Sequence, residues 1–199
     1  MEKGCCMIIG EKTIIRPMEM KDIDFIHKWW NIGEAMEYSG LKYGFMLSKA
    51  ALENLFKAQI ESSDMYLSDE KMFIICSKEN MSPMGDISYR NWNKHSRSAE
   101  IGLEICDPAD RGKGYGRDAM IAFINFMFRH LNLHRIELTT AESNKAAQAL
   151  YYRLGFKAIG IIRDSYYSPM QDNYVNALYM DLLSSDWDKA KDNERDRYI

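Results

Sequence analysis

At 199 residues, with 46% hydrophobic and 28% charged side chains, the chain is long enough and apolar enough to fold around a core without metal or disulfide support. A net charge of −3 excludes a wholesale nucleic-acid binder, which needs a basic surface to release counterions. Its four cysteines lack zinc-type spacing, "CCMII" is too short for a signal-peptide core, and no apolar run approaches the ~20 residues of a membrane span. The expectation is a soluble, cytoplasmic protein with reduced thiols and neither nucleic acid nor membrane as partner.

In chain order, "KTIIR" (12–16) predicts a short strand stopped by Pro17, followed by a helix with Ile23, Ile26, His27 and Trp30 on one side. Ser48 is placed to cap a second helix whose stripe is Ala51, Leu52, Leu55, Phe56 and Gln59. "KMFIICS" (71–77) is a continuous apolar strand, and "NMSP" turns the chain into a hairpin partner over 84–93. "SAEIGLEIC" (98–106) is a third strand. It places Ala99, Ile101, Leu103 and Ile105 on one face, and Glu100, Gly102, Glu104 and Cys106 on the other. The two glutamates stand about 13 Å apart along that strand.

A helix from about Tyr115 to His130 is apolar almost all round, with Asp118, Asn125 and Arg129 as a thin polar edge. A strand over 134–141 precedes a helix in "NKAAQALYYRLGF", ended by Gly155, and strands over 156–164 and 173–183 complete the pattern. The remainder, 186–199, mixes charges without apolar periodicity and reads as a solvated, frayed tail on a single domain spanning 1–199. The order predicts an α/β fold of the mixed α+β kind, one mixed sheet with helices packed on it.

Chemistry concentrates between the third strand and the long helix, in "DRGKGYGRDA" (110–119). Gly112, Gly114 and Gly116 are costly in chain entropy unless successive amides must turn toward one ligand. The helix start adds partial positive charge, and Arg111, Lys113 and Arg117 add whole charges, so the stretch predicts a pyrophosphate cradle. Residues 114–119 also satisfy the dinucleotide pattern G-x-G-x-x-[GA], which makes a dinucleotide-binding enzyme the alternative from another class. The setting argues against it: that pattern should follow the first strand of a βαβ unit, whereas three hairpin-linked strands come first here.

"RGKGYG" fits the [QR]-x-x-G-x-[GA] signature of the GNAT-superfamily N-acetyltransferases, and "ESNKAAQALYYRLGF" is similar to their second signature, N-x-x-A-x-x-x-Y-x-x-x-G-F. Across roughly 12–187 the chain resembles the subgroup of ribosomal-protein N-terminal and spermidine acetyltransferases. The resemblance implies the GNAT acyl-CoA N-acyltransferase fold, a mostly antiparallel mixed sheet splayed at the cofactor and flanked by helices. It implies acetyl-CoA as co-substrate, held by Ile105, Arg111, Gly112, Lys113, Gly114, Tyr115, Gly116, Arg117, Asn144 and Ala147. It also implies attack by a primary amine (a polyamine, an antibiotic amine or a protein N-terminus) through a tetrahedral intermediate, and it admits a homodimer. A non-catalytic acyl-CoA-binding protein of the same fold is the other alternative.

Tyr151 is the candidate general acid. It lies two helical turns from Asn144 and shares a face with Asn144 and Ala147, whereas Tyr152 is turned about 100° away. Glu100 matches the position of a base glutamate in some family members, and Glu104 or water remain open. A backbone N–H between Leu103 and Cys106 is the expected oxyanion donor. Acceptor-pocket walls are expected over about 29–45 and 163–174, which carry Trp29, Trp30, Glu34, Glu37, Tyr38, Tyr43, Tyr166 and Tyr167.

Overall fold

The computed structural model describes residues 7–33, 35–36, 41–62, 68–168 and 171–188. Its strands are β1 (Ile8–Ile9), β2 (Thr13–Pro17), β3 (Lys71–Ser77), β4 (Pro83–Asn93), β5 (Ser98–Ile105), β6 (Arg135–Ala141), β7 (Lys157–Ser168) and β8 (Asn173–Leu183). The helices are α1 (Ile23–Trp30), α2 (Lys49–Glu61), α3 (Tyr115–Asn125) and α4 (Lys145–Arg153); α3 widens into a π-helical turn over Phe126–His130. All eight strands form one sheet in the order β1-β2-β3-β4-β5-β6-β8-β7, antiparallel throughout except between β5 and β6.

That one parallel junction controls the architecture. β5 and β6 pair only over Ser98–Glu100 against Arg135–Glu137. Beyond Glu100 the second half of β5 stays on β4, from Ile101↔Tyr89 to Ile105↔Gly85, while β6 follows β8 up to Ala141↔Ala177. The sheet therefore splits at the middle of β5, as expected of a splayed mixed sheet.

Two apolar layers cover the sheet. β3 is apolar at every central position because it is buried on both sides. Phe73 and Ile75 join the cluster under α3 with Ile87, Tyr89, Ile101, Phe123 and Met127, whereas Ile74 and Cys76 join Ile23, Ile26, Leu52 and Phe56 from α1 and α2. Ser48 caps α2 as its type predicts, accepting from the Ala51 amide at 3.1 Å. Gly155 ends α4's turn at φ +92°, a left-handed value that favours glycine.

Several boundaries differ from the sequence reading, among them β7, which runs on to Ser168 rather than ending at 164 because it stays paired with β8 as far as Ser168↔Asn173. β2 includes Pro17, which pairs with Phe73 at the strand's last position. The pair Ile8–Ile9 adds a strand against Ile14 and Ile15, too short to leave a periodic signal. The tail expected to fray from 186 is folded at its start. Residues 184–188 form a helical turn, Trp187 is buried with its indole N–H donating to Asn125 Oδ1 at 3.0 Å, and Asp188 pairs with Arg129. A lone tryptophan carries no periodicity, so only its tertiary partner reveals it. Residues 189–199 lie outside the described part.

Candidate active site

The split in the sheet opens a cleft of about 470 Å³. Its walls come from β5 (Ile101 to Ile105), Arg111, β6 (Thr139 to Ala141), Asn144, Ala146 and Tyr151, with Ala35, Ser165, Tyr166 and Ala177 around them. Tyr151 belongs to the α3 side of the sheet and Glu104 to the side of α1 and α2. Only where the strands part can groups from opposite faces meet in one space.

At one end of the cleft lies the glycine loop. Gly112 and Gly114 have φ values of +77° and +89°, so the chain's path itself requires glycine there. Gly116 is different. It sits in α3's first turn, and a Cβ on it would reach only Leu103 and Ile105 side chains at 3.5–3.6 Å, ordinary contact. Around Gly112 nothing lies within 4 Å of an added Cβ. The loop is thus open space bordered by exposed amides, the N-terminus of α3 and cationic side chains, which fits a pyrophosphate. Lys113 pairs with Asp110 at 3.1 Å and its carbonyl accepts from Lys12 Nζ at 3.1 Å, adding a lysine the sequence reading did not include. Tyr115 is half-buried, its ring packed against the core. Arg117 is exposed beside the helix start.

Asp118 fixes that end in place. Its carboxylate accepts from the amides of Glu11 (2.8 Å), Lys12 (3.0 Å) and Thr13 (2.8 Å) and from the Thr13 hydroxyl (2.6 Å). Burial would raise its pKa, but those four donors outweigh burial and hold it below the ordinary value. A Cβ at Gly10 would come within 2.3 Å of Asp118 Oδ2, so Gly10 is needed for the approach.

Arg111 reaches back along the end of β5. Its Nε donates to the Ile105 carbonyl at 2.8 Å, its Nη2 to the Cys106 carbonyl at 3.3 Å, and Nη2 lies 3.8 Å from Glu104. The Cys106 amide donates to the Met84 carbonyl at 3.0 Å and is therefore engaged. Amide directions alternate along a strand, so those of Leu103 and Ile105 face the split.

On α4, Asn144 caps the helix by accepting from the Ala147 amide at 3.1 Å while also lining the cleft. Ala147 packs against the core, and Ala146 takes the wall position expected of it. Tyr151 is 9% exposed, rests on Phe156 at 5.8 Å between ring centroids, and lines the cleft; Tyr152 is 52% exposed. Burial pushes the Tyr151 phenol up to about 12.

The two glutamates of β5 separate clearly. Glu100 is bound to Arg90 on the neighbouring strand and lies 3.3 Å from Asn91 Nδ2, below the cleft lining. Glu104 lines the cleft, and burial pushes its carboxyl up to about 8, with Asp86 adding to the rise and Arg111 opposing it. The shared face was legible in sequence, but which acid meets the cleft depends on where β6 departs. Of the expected acceptor walls, Tyr166 and the previously unnamed Ala35 line the cleft, while Glu34, Glu37 and Tyr38 lie outside the described residues.

Comparison with known proteins agrees with this geometry. Residues 12–157 match the family model described as an acetyltransferase (GNAT) domain. The spermidine N(1)-acetyltransferase of Escherichia coli K12 is 26% identical over 172 residues, covering 83% of either chain. The putative ribosomal N-acetyltransferase YdaF of Bacillus subtilis is 32% identical over 54% of this chain and 57% of its own. The spermidine N-acetyltransferase of Vibrio cholerae, solved with CoA and spermine, superposes with a TM-score of 0.77 at 27% identity, covering 88% of this chain and 98% of that one. A cradle open at Gly112, a cleft through the sheet and a family match over most of the chain lead to one conclusion: this chain belongs to the GNAT family and is an acetyl-CoA-dependent N-acetyltransferase.

Proposed function

We propose that the protein acetylates a primary amine of a small cationic molecule, with polyamines the first class to test. The observation that carries this reading is that a carboxyl, Glu104, and a phenol, Tyr151, enter one cleft from opposite faces of the sheet. Acetyl-CoA supplies the acyl group as a thioester. The glycine loop, Arg111 and α3's N-terminus hold its pyrophosphate, and the Leu103 or Ile105 amide meets charge developing on the thioester oxygen. Glu104 accepts the proton the amine must lose as the N–C bond forms. Its affinity for protons near neutrality suits that task. Tyr151 gives its phenolic proton to the departing thiolate as the C–S bond breaks, which is uphill and so demands close positioning.

Similarity to the spermidine acetyltransferases supports a polyamine acceptor. A panel of spermidine, spermine, an aminoglycoside amine and an N-terminal peptide, read by CoA release, tests it. Turnover with the polyamines ahead of the others is expected. Turnover with the peptide alone would overturn the small-molecule reading, and tight acetyl-CoA binding without turnover of any amine would favour the non-catalytic alternative.

A further inference from the structure

Behind Glu104 lies a second carboxyl that neither the fold nor the transfer chemistry above requires. Asp86, on β4, is the direct cross-strand partner of Glu104, so the two side chains leave the sheet on the same face. Gly85, just before it, has a reason to lack a side chain: a Cβ there would fall 1.9 Å from the Glu104 carbonyl oxygen. The strands are thus drawn together at the point where the two acids face each other.

Asp86 is 7% exposed, and its Oδ2 is buried without a hydrogen-bond partner among the described residues. An isolated buried carboxylate is costly, so such groups are normally paired with a cation or well supplied with donors. Asp86 has the indole N–H of Trp30 from α1 and, among the described residues, no cation in contact. The groups facing it are Glu104 and Cys106 from β5 and, beyond Glu104, the Arg111 guanidinium; from β3 its direct partner is the apolar Ile74. Arg111 lies 3.8 Å from Glu104, so the cation serves the outer acid. Two facing carboxyls with a single cation, held on the outer acid, cannot both ionise cheaply, so retaining a proton on one of them is favoured.

We propose that Asp86 and Glu104 form a carboxyl pair holding one proton between them, and that Asp86 is a positioning residue that sets the pH at which Glu104 takes the proton from the acceptor amine. The second half of this inference rests on the reading of Glu104 as proton acceptor. The pair itself does not. Burial raises both carboxyls, Asp86 to about 7 and Glu104 to about 8, which accords with two acids releasing their protons as a unit near neutrality.

The test uses the full chain and two readouts. The first is direct titration of the Asp86 and Glu104 side-chain carboxyl carbons by ¹³C NMR, in the wild type and in Asp86→Asn. The second is the acid limb of kcat/KM for the best amine, in the wild type, Asp86→Asn and Glu104→Gln. Removing the Asp86 charge should move the Glu104 titration, and the kinetic limb with it, to lower pH by roughly one to two units. A role in packing alone would move neither.

An unmoved Glu104 titration in Asp86→Asn would overturn the pair. A kinetic limb abolished by Glu104→Gln but unmoved by Asp86→Asn would overturn the positioning role. A limb that survives Glu104→Gln locates the failure in Glu104 as acceptor, while the NMR titration still decides the pair. If Asp86→Asn disturbs the fold, the wild-type titrations alone decide the matter: a shared proton demands that the two carbons titrate jointly, with biphasic curves, and independent single-site curves would refute it.

Discussion

Two aspartates stand near the C-terminal end of β5, Asp118 on α3 and Asp86 on β4, and the two are treated in opposite ways. Asp118, beside the glycine loop, is given four donors from the β1–β2 turn and its pKa is lowered. Asp86, beneath the acceptor side of the cleft, is buried with an oxygen unmet among the described residues and is pushed up to about 7. A carboxylate whose task is to hold the fold is satisfied as fully as geometry allows, because hydrogen bonds to a charged group are among the stronger ones available. A carboxyl left short of partners stores a proton affinity that the fold has no use for. On the proposed assignment, the cofactor end is a rigid socket and the acceptor end a place where protons move.

The contrast breaks first at Asp118. Asp118→Ala removes all four bonds and leaves the amides of Glu11, Lys12 and Thr13 to find water, at a cost of about 3 kcal/mol in a urea or thermal melt. Acetyl-CoA affinity should fall with it, because α3's N-terminus loses its tie to β2. A melt unchanged to within about 0.5 kcal/mol, the scatter of an ordinary surface substitution, would show the clamp to be ornamental.

Tyr151→Phe should cost about 10²-fold in kcat with little change in acetyl-CoA affinity, the lower part of the range for a positioned general acid, since a thiolate is already a fair leaving group. The phenylalanine keeps the contact with Phe156, so the comparison isolates one hydroxyl. Tyr152→Phe, at an exposed position, should leave kcat as it is. If the exposed tyrosine proves the damaging one, the assignment of α4's cleft face is wrong.

Asp86→Asn should act on stability with the opposite sign to Asp118→Ala. An acid whose folded pKa lies above its ordinary 3.8 binds more protons folded than unfolded between those values. Stability therefore falls as pH rises from about 4 to about 7 and levels off above. The asparagine variant escapes that loss and should be more stable than wild type at about pH 8 by up to about 4 kcal/mol, its advantage vanishing near pH ~4. Asp118 runs the other way. Its depressed pKa stabilises fully above the ordinary carboxylate value, and that contribution disappears as pH falls through its lower folded value. Parallel pH–stability curves for wild type and Asp86→Asn would show that Asp86 is ionised in the fold after all.

How much of this was written in the sequence follows from distance along the chain. The glycine loop, the cap at Asn144 and the faces of β5 are local patterns, and each was legible from residues within two turns or one strand. Asp86 was not. In "MGDISYRNWN" an aspartate between apolar residues reads as the solvated face of a hairpin, and the indole that meets it, Trp30, lies 56 positions earlier. Register counted back from the Asn93–Ser98 pair at the turn would set Asp86 against Ile105; a bulge between Arg90 and Asn93 shifts the pairing by one and brings Glu104 opposite it, so this partner too was hidden from the sequence. In the sequence Asp118 reads only as a polar edge, because its donors lie 105 to 107 residues away. Choosing Glu104 over Glu100 as the cleft acid required knowing where β6 leaves β5, and nothing in either strand announces that point.

The smallest expected effect concerns the two inner glycines of the loop, and it separates what the ligand demands from what the chain demands. Gly114 holds φ at +89°, so alanine there incurs left-handed strain of about 1 kcal/mol even before any ligand binds. Gly116 lies in the first turn of α3 without that constraint, and a Cβ would touch Leu103 and Ile105 at no less than 3.5 Å. Gly116→Ala should therefore raise stability by somewhat under about 1 kcal/mol, the usual difference between alanine and glycine in a helix. Its Cβ lies against those two β5 side chains, so acetyl-CoA affinity should stay within about threefold of wild type, a change of ~0.7 kcal/mol. This matches a signature that accepts either glycine or alanine at the last position. Melts of the two variants with and without acetyl-CoA give both answers from one experiment, since a ligand that binds only the folded state raises the midpoint by mass action. If Gly116→Ala loses the acetyl-CoA shift while its ligand-free melt improves, the pyrophosphate approaches α3 at residue 116 itself. The cradle would then be one turn deeper in the helix than the positive-φ glycines place it.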